Sequence, residues 1–241
     1  MHNGPFVMLA LAALEACSTK DAASTSNGGS NWSPATTTVS TIVLGQQRQG
    51  EATYYTTANG DGACSFGASP NDLNVAALNA PDFSNAAYCG ACADVTGPSG
   101  NVRVRIVDLC PECPSGNLDL SPQAFAKIAA LEKGRVPITW NIVACDVTGP
   151  VNYRYKDGAN AWWTAVQVAN HRLPVAHFEW SSDGVSFKEI ARTSYNYFLD
   201  ESGFGSSPVT VRITAVDGQT LTDRLPTVKE YLVTEGNAQF Q

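Results

Sequence analysis

In Val107-Asp108-Leu109-Cys110-Pro111-Glu112-Cys113-Pro114-Ser115-Gly116-Asn117-Leu118-Asp119-Leu120-Ser121-Pro122-Gln123-Ala124-Phe125, two carboxylates stand at the ends of rigid elements, across a loop that two cysteines can pin. The preceding Arg103-Val104-Arg105-Ile106-Val107 alternates polar and apolar residues and predicts a strand. Asp108 stands at the end of that strand. Pro111, Pro114 and Gly116 interrupt regular structure. Ser121-Pro122 reads as a helix start, because Ser suits the N-cap and Pro needs no N–H in the first turn. Asp119 lies just before that cap. Paired carboxylates suit glycosidic chemistry, in which one protonates the leaving oxygen and the other activates water or attacks the sugar. The competing reading is structural: Asp119 supports the helix dipole and Asp108 makes a turn.

The rest of the chain reads as short strands and turns. Ala52-Thr53-Tyr54-Tyr55, Val75 to Leu78, Ala93-Asp94-Val95 and Val136 to Val143 predict strands, with a turn at Ser99-Gly100. Only Pro122 to Leu131 has helical spacing, through Phe125, Ile128 and Leu131. After Thr148-Gly149-Pro150, four further alternating runs appear: Val166 to Asn170, Ala176 to Trp180, Val209 to Ile213 and Leu221 to Asp223. Asp183-Gly184 and Asp217-Gly218 carry hairpin chemistry. The expected organisation is a leader at 1–17, a flexible Ser/Thr/Gly-rich linker at 18–49, a small barrel at 50–148 and a β-sandwich of immunoglobulin-like type at 151–241.

Phe6 to Leu14 is an apolar run too short to span a bilayer and suits a signal peptide. Leu14-Glu15-Ala16-Cys17 resembles a lipoprotein cleavage box, which makes Cys17 the candidate for lipidation and for a membrane anchor. An ordinary signal peptide cut nearby is the alternative. The net charge of -7 among 241 residues excludes nucleic acid as a natural partner, since phosphate binding needs clustered Lys and Arg. A neutral polymer meets no such barrier.

Six of the seven cysteines, Cys64, Cys89, Cys92, Cys110, Cys113 and Cys145, form an even set confined to the barrel half. In an exported chain they predict disulfides, with about fifteen pairings open. Cys89-Gly-Ala-Cys92 and Cys110-Pro-Glu-Cys113 also fit a zinc site. No histidine cluster suggests a metal; His171 and His177 read as structural. No cofactor or metal is expected, and a monomer is.

The order of several motifs resembles the expansins, in particular the bacterial expansin-like proteins. These motifs are Gly50-Glu51-Ala52-Thr53-Tyr54, Val107-Asp108-Leu109, Leu118-Asp119-Leu120-Ser121-Pro122-Gln123-Ala124-Phe125, Tyr153-Arg154-Tyr155-Lys156-Asp157-Gly158, Trp162-Trp163, Val168-Ala169-Asn170-His171 and Ser194-Tyr195-Asn196. The resemblance covers about Glu51 to Phe240. It implies a six-stranded double-psi β-barrel followed by a sandwich that binds carbohydrate, with cellulose and related plant cell-wall glucans as partners. It also implies wall loosening without hydrolysis. Asp119 matches the acid-like residue of the barrel groove, and Asp108 and Thr53 match its other polar positions. The partner base of related endoglucanases is lacking, so water is not activated.

By the same resemblance Trp162, Trp163 and Tyr195 form an open aromatic row with Lys156 beside it. Strand alternation alone would send one Trp into the core; an irregular start would expose both. Bacterial relatives often carry Tyr two residues after the Asp108 position, where this chain has Cys110. Either the groove loses a stacking ring there, or Tyr54 or Tyr55 replaces it; Tyr54 is carried as the candidate. The analogy also pairs Cys64 with Cys89, Cys92 with Cys145 and Cys110 with Cys113. Two further classes stay open. One is a glycoside hydrolase or peptidoglycan lytic transglycosylase using Asp119 as general acid. The other is a plain carbohydrate-binding or plant-defence-like protein.

Overall fold

The structure, a computed structural model, describes residues 42–241. The expected leader, Cys17 and the linker up to residue 41 lie outside the described residues.

Six strands close into a barrel: β1 (Arg48–Tyr54), β2 (Val75–Asn79), β3 (Cys92–Gly97), β4 (Gly100–Cys110), β5 (Leu118–Leu120) and β6 (Val136–Val143). Their order around the barrel is β1-β5-β2-β4-β3-β6. The β1–β5 and β2–β4 pairs run parallel, and the other four pairs run antiparallel. Alternation dictates which face turns inward. Val102, Val104 and Ile106 of β4 and Val136, Ile138, Trp140 and Ile142 of β6 are all buried in one core, with Leu118 and Leu120 of β5. The β3–β4 hairpin turns at Pro98-Ser99, one residue ahead of the expected turn, because Gly97 and Gly100 pair.

Two short helices decorate the barrel, α1 (Ala80–Phe83) and α2 (Pro122–Ile128). Ser121 caps α2, its hydroxyl accepting from the Ala124 N–H at 3.1 Å. The helix expected to reach Leu131 stops at Ile128. The backbone is extended at Ala129, and Leu131 falls in a separate short 3-10 turn (Leu131–Lys133), where it is 38% exposed.

The linker expected to run through Gln49 is overtaken by the barrel. Ile42 is buried in the barrel core, and β1 already begins at Arg48. Arg48 is fixed by Asp82, by the Tyr88 hydroxyl at 2.6 Å, and by the faces of Tyr88 and Trp140. Burial would push the Asp82 carboxyl up. Hydrogen bonds from Asn79 and the Gly116 N–H, with the Arg48 charge, outweigh it and hold Asp82 below its ordinary range.

The remaining strands are β7 (Asn152–Tyr155), β8 (Thr164–Ala169), β9 (Val175–Ser181), β10 (Lys188–Glu189), β11 (Phe198–Asp200), β12 (Val209–Ala215), β13 (Thr220–Leu225) and β14 (Val233–Glu235). They form two antiparallel sheets, β10-β9-β12-β13 and β11-β8-β7-β14. Their inner faces share one core of Tyr153, Val166, Val168, Phe178, Phe198, Val211, Ile213 and Leu225, with the Phe178 and Phe198 rings stacked 5.0 Å apart. Asp183-Gly184 and Asp217-Gly218 turn the β9–β10 and β12–β13 hairpins, as their chemistry predicts. The architecture is a mainly β barrel followed by an immunoglobulin-like sandwich.

All six barrel cysteines are bridged: Cys64–Cys89, Cys92–Cys145 and Cys110–Cys113. The zinc reading falls, since no thiolate is left to bind a metal.

Candidate functional site

The groove is built from the parallel β1–β5 pair. Thr53 and Asp119 sit opposite each other in register, and the Thr53 hydroxyl donates to Asp119 Oδ1 at 2.5 Å. Leu118 and Leu120 face the core, so Asp119 between them projects to the other face. The carboxyl is half-buried. Burial raises its pKa, and the nearby charges of Glu112 and Asp108 add to that rise; the Thr53 hydrogen bond and the Arg135 charge act against it. Asp119 therefore holds a proton more readily than a solvated aspartate, as a general acid needs.

Asp108 does not end its strand. β4 continues to Cys110, and a bulge opposite Ala76/Ala77 leaves Val107 unpaired and resets the alternation. The extra residue re-aims Asp108 toward the loop after Asn59. Its Oδ1 accepts from the Ala63 N–H at 2.7 Å and the Leu109 N–H at 2.8 Å. Gly62 is needed for this approach, since a Cβ there would lie 2.4 Å from the Asp108 Cγ. Asp108 thus acts as a clasp for the Gly62–Phe66 loop.

Tyr54 is not brought to the groove. Strand parity places it with Ala52 on the face opposite Thr53, and its ring packs 5.0 Å from Phe125 against the barrel core. Tyr55 is the groove tyrosine. Its hydroxyl is buried with no hydrogen-bond partner among the described residues, and its pKa is pushed up by burial and by the charges of Asp108 and Asp119. The period-two spacing from Thr53 was the signal that could have chosen Tyr55.

On the sandwich, Trp162 is 77% exposed and Trp163 is half-buried. Both precede β8, so strand alternation does not govern them. They sit in a turn closed by the Asn160 N–H to the Trp163 carbonyl at 2.8 Å and by the Trp162 N–H to Asn160 Oδ1 at 2.9 Å. Gly203 backs the turn: its φ is 73°, and a Cβ there would lie 2.2 Å from the Ala161 carbonyl oxygen. Tyr195 is half-buried, with its ring 5.9 Å from that of Tyr197. Lys156 Nζ lies 6.0 Å from each of those two rings. The structure thus gathers Lys156 and Tyr195 and exposes Trp162, with Trp163 half-buried beside it, at the head of the neighbouring strand.

Groove and platform are joined by one loop. Gln167 Nε2 donates to the Cys64 carbonyl at 2.9 Å, and Asn196 Nδ2 donates to the same oxygen at 3.1 Å. Arg154 donates to the Ser65 carbonyl and, at 2.9 Å, to the Tyr197 hydroxyl. The two remaining candidates are structural. His171 is buried with Nδ1 bonded to the Leu173 carbonyl at 2.9 Å, and burial lowers its pKa to about 4, helped by the Arg192 charge. His177 is exposed beside Glu189 at 2.6 Å. Among the described residues no cluster of three or more His, Cys, Asp or Glu could hold a metal ion.

Comparison with known proteins bears on the fold and the family. A family model described as lytic transglycolase matches residues 75–140, within the barrel. Expansin-YoaJ of Bacillus subtilis is 36% identical over 202 residues, covering 80% of this chain and 86% of that protein. The crystal structure of the apo expansin of Clavibacter michiganensis superposes with a TM-score of 0.76 at 32% identity, covering 81% of this chain and 98% of that one. A mutant of the same expansin, solved in complex with cellohexaose, also gives 0.76, at 31% identity and the same coverage. With 36% identity over 202 residues to a relative that is itself covered to 86%, and with its fold shared by a solved expansin, the chain belongs to the expansin family as a bacterial expansin-like protein.

Proposed function

We propose that this protein acts outside the cell, binds cellulose and related plant cell-wall glucans, and loosens their networks without hydrolysis. The observation that carries the reading is the exposed Trp162–Trp163 turn, with Tyr195 and Lys156 nearby, held by one loop to a groove that has a single acid-like carboxyl. Sugar rings present apolar C–H faces, which stack on exposed aromatic faces, and the cellohexaose complex of the similar Clavibacter expansin supports a β-1,4-glucan as the ligand. In this reading residues 50–148 are the loosening barrel, with β1 extending it to Arg48, and 151–241 are the carbohydrate-binding sandwich. Residues 1–17 direct export, and the protein works as a monomer. Three disulfides suit that compartment.

Asp119 and Thr53 form the polar centre of the groove. Asp119 can lend a proton to a glycosidic or hydroxyl oxygen. Asp108 Oδ1 is engaged by two backbone N–H groups, which fixes that carboxyl to the loop. Proton donation without water activation favours disruption of contacts between chains over cleavage.

A lytic reading is favoured by one observation, the match of residues 75–140 to a family described as lytic transglycolase. That chemistry needs an acid but no attacking water. The test is a cellulose-network weakening or wall-creep assay with reducing ends and anhydro-muropeptides measured in parallel. Weakening without either product is expected. Product release in step with weakening would replace the proposal by the lytic reading, and binding without weakening would leave a plain carbohydrate-binding protein.

A further inference from the structure

Tyr231 lies outside every motif that carries the family resemblance, yet it is held out as an exposed ring. It is 65% exposed although its φ is 61°, in the left-handed region that bulky side chains avoid. A strained aromatic turned to solvent stabilises no core, and such backbone outliers concentrate at ligand sites. Neighbouring groups fix it. The Tyr231 N–H donates to the Tyr155 carbonyl at 3.2 Å, and Glu230 Oε2 accepts from the Gly158 N–H at 3.1 Å. The Tyr231 hydroxyl donates to the Asp157 carboxylate. With the hydroxyl so engaged, the residue offers a ligand its ring face.

The sheet decides where that ring lies. Tyr153 and Tyr155 of β7 are buried in the sandwich core, so alternation turns Arg154 and Lys156 to the outer face. β14 pairs with β7 through Val233 and Arg154, and the same register continued by two residues sets Tyr231 beside Lys156. Leu232 packs against the core, and its carbonyl accepts from the Tyr155 N–H at 3.0 Å, which leaves Tyr231 to the outer face. Lys156, Tyr197 and Tyr231 accordingly line one cleft on that face. From there Lys156 Nζ reaches to 6.0 Å from the Tyr195 ring.

Strand order turns these neighbours into a row. The sheet β11-β8-β7-β14 carries Tyr195 ahead of β11, Trp163 at the head of β8, Lys156 just past β7 and Tyr231 ahead of β14, in that sequence. Neighbouring strands lie about 4.8 Å apart, close to the length of one glucose unit in a β-1,4-glucan. A glucan that crosses the strands over Tyr195, Trp163 and Lys156 therefore meets Tyr231 with its next sugar. β14 is the edge of this sheet, so Tyr231 ends the row.

We propose that Tyr231 is a further sugar-binding residue, which extends the aromatic row over the edge strand by one stacking position for a linear β-1,4-glucan. The inference rests on the carbohydrate-binding reading above. Isothermal titration of the full protein with cellotriose and with cellohexaose tests it. Cellotriose spans Tyr195 to Lys156 and stops short of Tyr231, whereas cellohexaose covers the whole row. Tyr231→Gly should weaken cellohexaose binding about fivefold, the value of one aromatic contact, and leave cellotriose binding unchanged. Tyr231→Phe keeps the ring and should retain most of the affinity. Glycine and asparagine both suit the left-handed backbone, so Tyr231→Asn serves as a second ringless variant, and melting curves check that each is folded. Full cellohexaose affinity in the folded ringless variants, equal loss of both ligands, or Tyr231→Phe as weak as Tyr231→Gly would overturn the proposal. A wild type that binds neither ligand would overturn the carbohydrate reading itself, and this inference with it.

Discussion

Asp119→Asn separates what the groove does from what holds it together. The amide is nearly isosteric with the carboxyl and still accepts from the Thr53 hydroxyl, now 2.5 Å from Oδ1. A charge-assisted hydrogen bond becomes a neutral one, a loss of about 1 kcal/mol. Removing a half-buried charge that faces Glu112 and Asp108 acts in the other direction. Net stability should change by less than about 1 kcal/mol, or roughly 2–4 °C in Tm for a chain of this size.

The pH dependence gives the sign. The folded pKa of Asp119 lies above its unfolded value, so the folded state binds more protons between the two values. Its contribution to stability falls as pH rises through that window. Relative to wild type, Asp119→Asn should gain stability with rising pH and level off above the raised pKa, which thermal melts at stepped pH will show. On the same preparations, cellulose-network weakening should drop by about 10²-fold or more, the usual contribution of a positioned acid. Cellulose binding, carried by the sandwich, should stay within twofold or so of wild type, a difference of roughly 0.4 kcal/mol. Normal weakening by well-folded Asp119→Asn protein would refute the role given to this carboxyl. A large drop in Tm would instead mean that the residue serves mainly as structure.

Trp162→Ala should weaken cellulose binding about fivefold with stability changed by less than about 0.5 kcal/mol, because a ring 77% exposed adds little to the core. Adsorption isotherms and melting curves check both. Disulfide removal should be graded by loop length: Cys110→Ser/Cys113→Ser, closing a separation of 3, should cost about 2 kcal/mol, and Cys92→Ser/Cys145→Ser, closing 53, about 4 kcal/mol, by denaturant titration. His171 stays neutral in the fold to a pH of about 4, while the unfolded chain charges near 6.5, so wild type should lose about 3 kcal/mol from this group as pH falls between those values. His171→Asn should flatten that part of the acid limb, and an unchanged limb would show that the lowered carboxylates account for it alone.

Where local pattern and burial coincide, the sequence was easy to read. β6 begins and ends at the residues its alternation picks, and both Asp-Gly turns appear, because period and turn chemistry are local properties. The site was read less well for physical reasons. β5 is three residues long, too short for any periodicity, so Asp119 looked like a loop residue ahead of a helix. The bulge at Val107 changes parity inside a strand that alternates well up to that point. Tyr54 and Tyr55 differ only by parity, and the register that decides between them comes from pairing with Leu118 to Leu120, far along the chain. Arg48 fell in a polar segment whose partners, Asp82 and Tyr88, are 34 and 40 residues away. The tryptophans needed the turn at Asn160 and the backing of Gly203, which no strand pattern encodes.

The Gly62–Phe66 loop ties the barrel core to the sandwich core. One side of it is clasped by Asp108; the other accepts four side-chain donations to the Cys64 and Ser65 carbonyls, from Gln167, Asn196 and Arg154. Gln167 and Asn196 are almost fully buried, so leaving any of these amides unpaired would cost about 1–3 kcal/mol. Cys64 is also tied to Cys89. A loop so constrained transmits position without absorbing it. In the proposed function, this tie would hold the barrel that carries Asp119 and the sandwich that carries Trp162 in a fixed relation. The clasp role of Asp108 follows from the same geometry: its Oδ1 accepts from the Ala63 N–H of the connection and from the N–H of its own neighbour Leu109, while Asp119 accepts from the Thr53 hydroxyl.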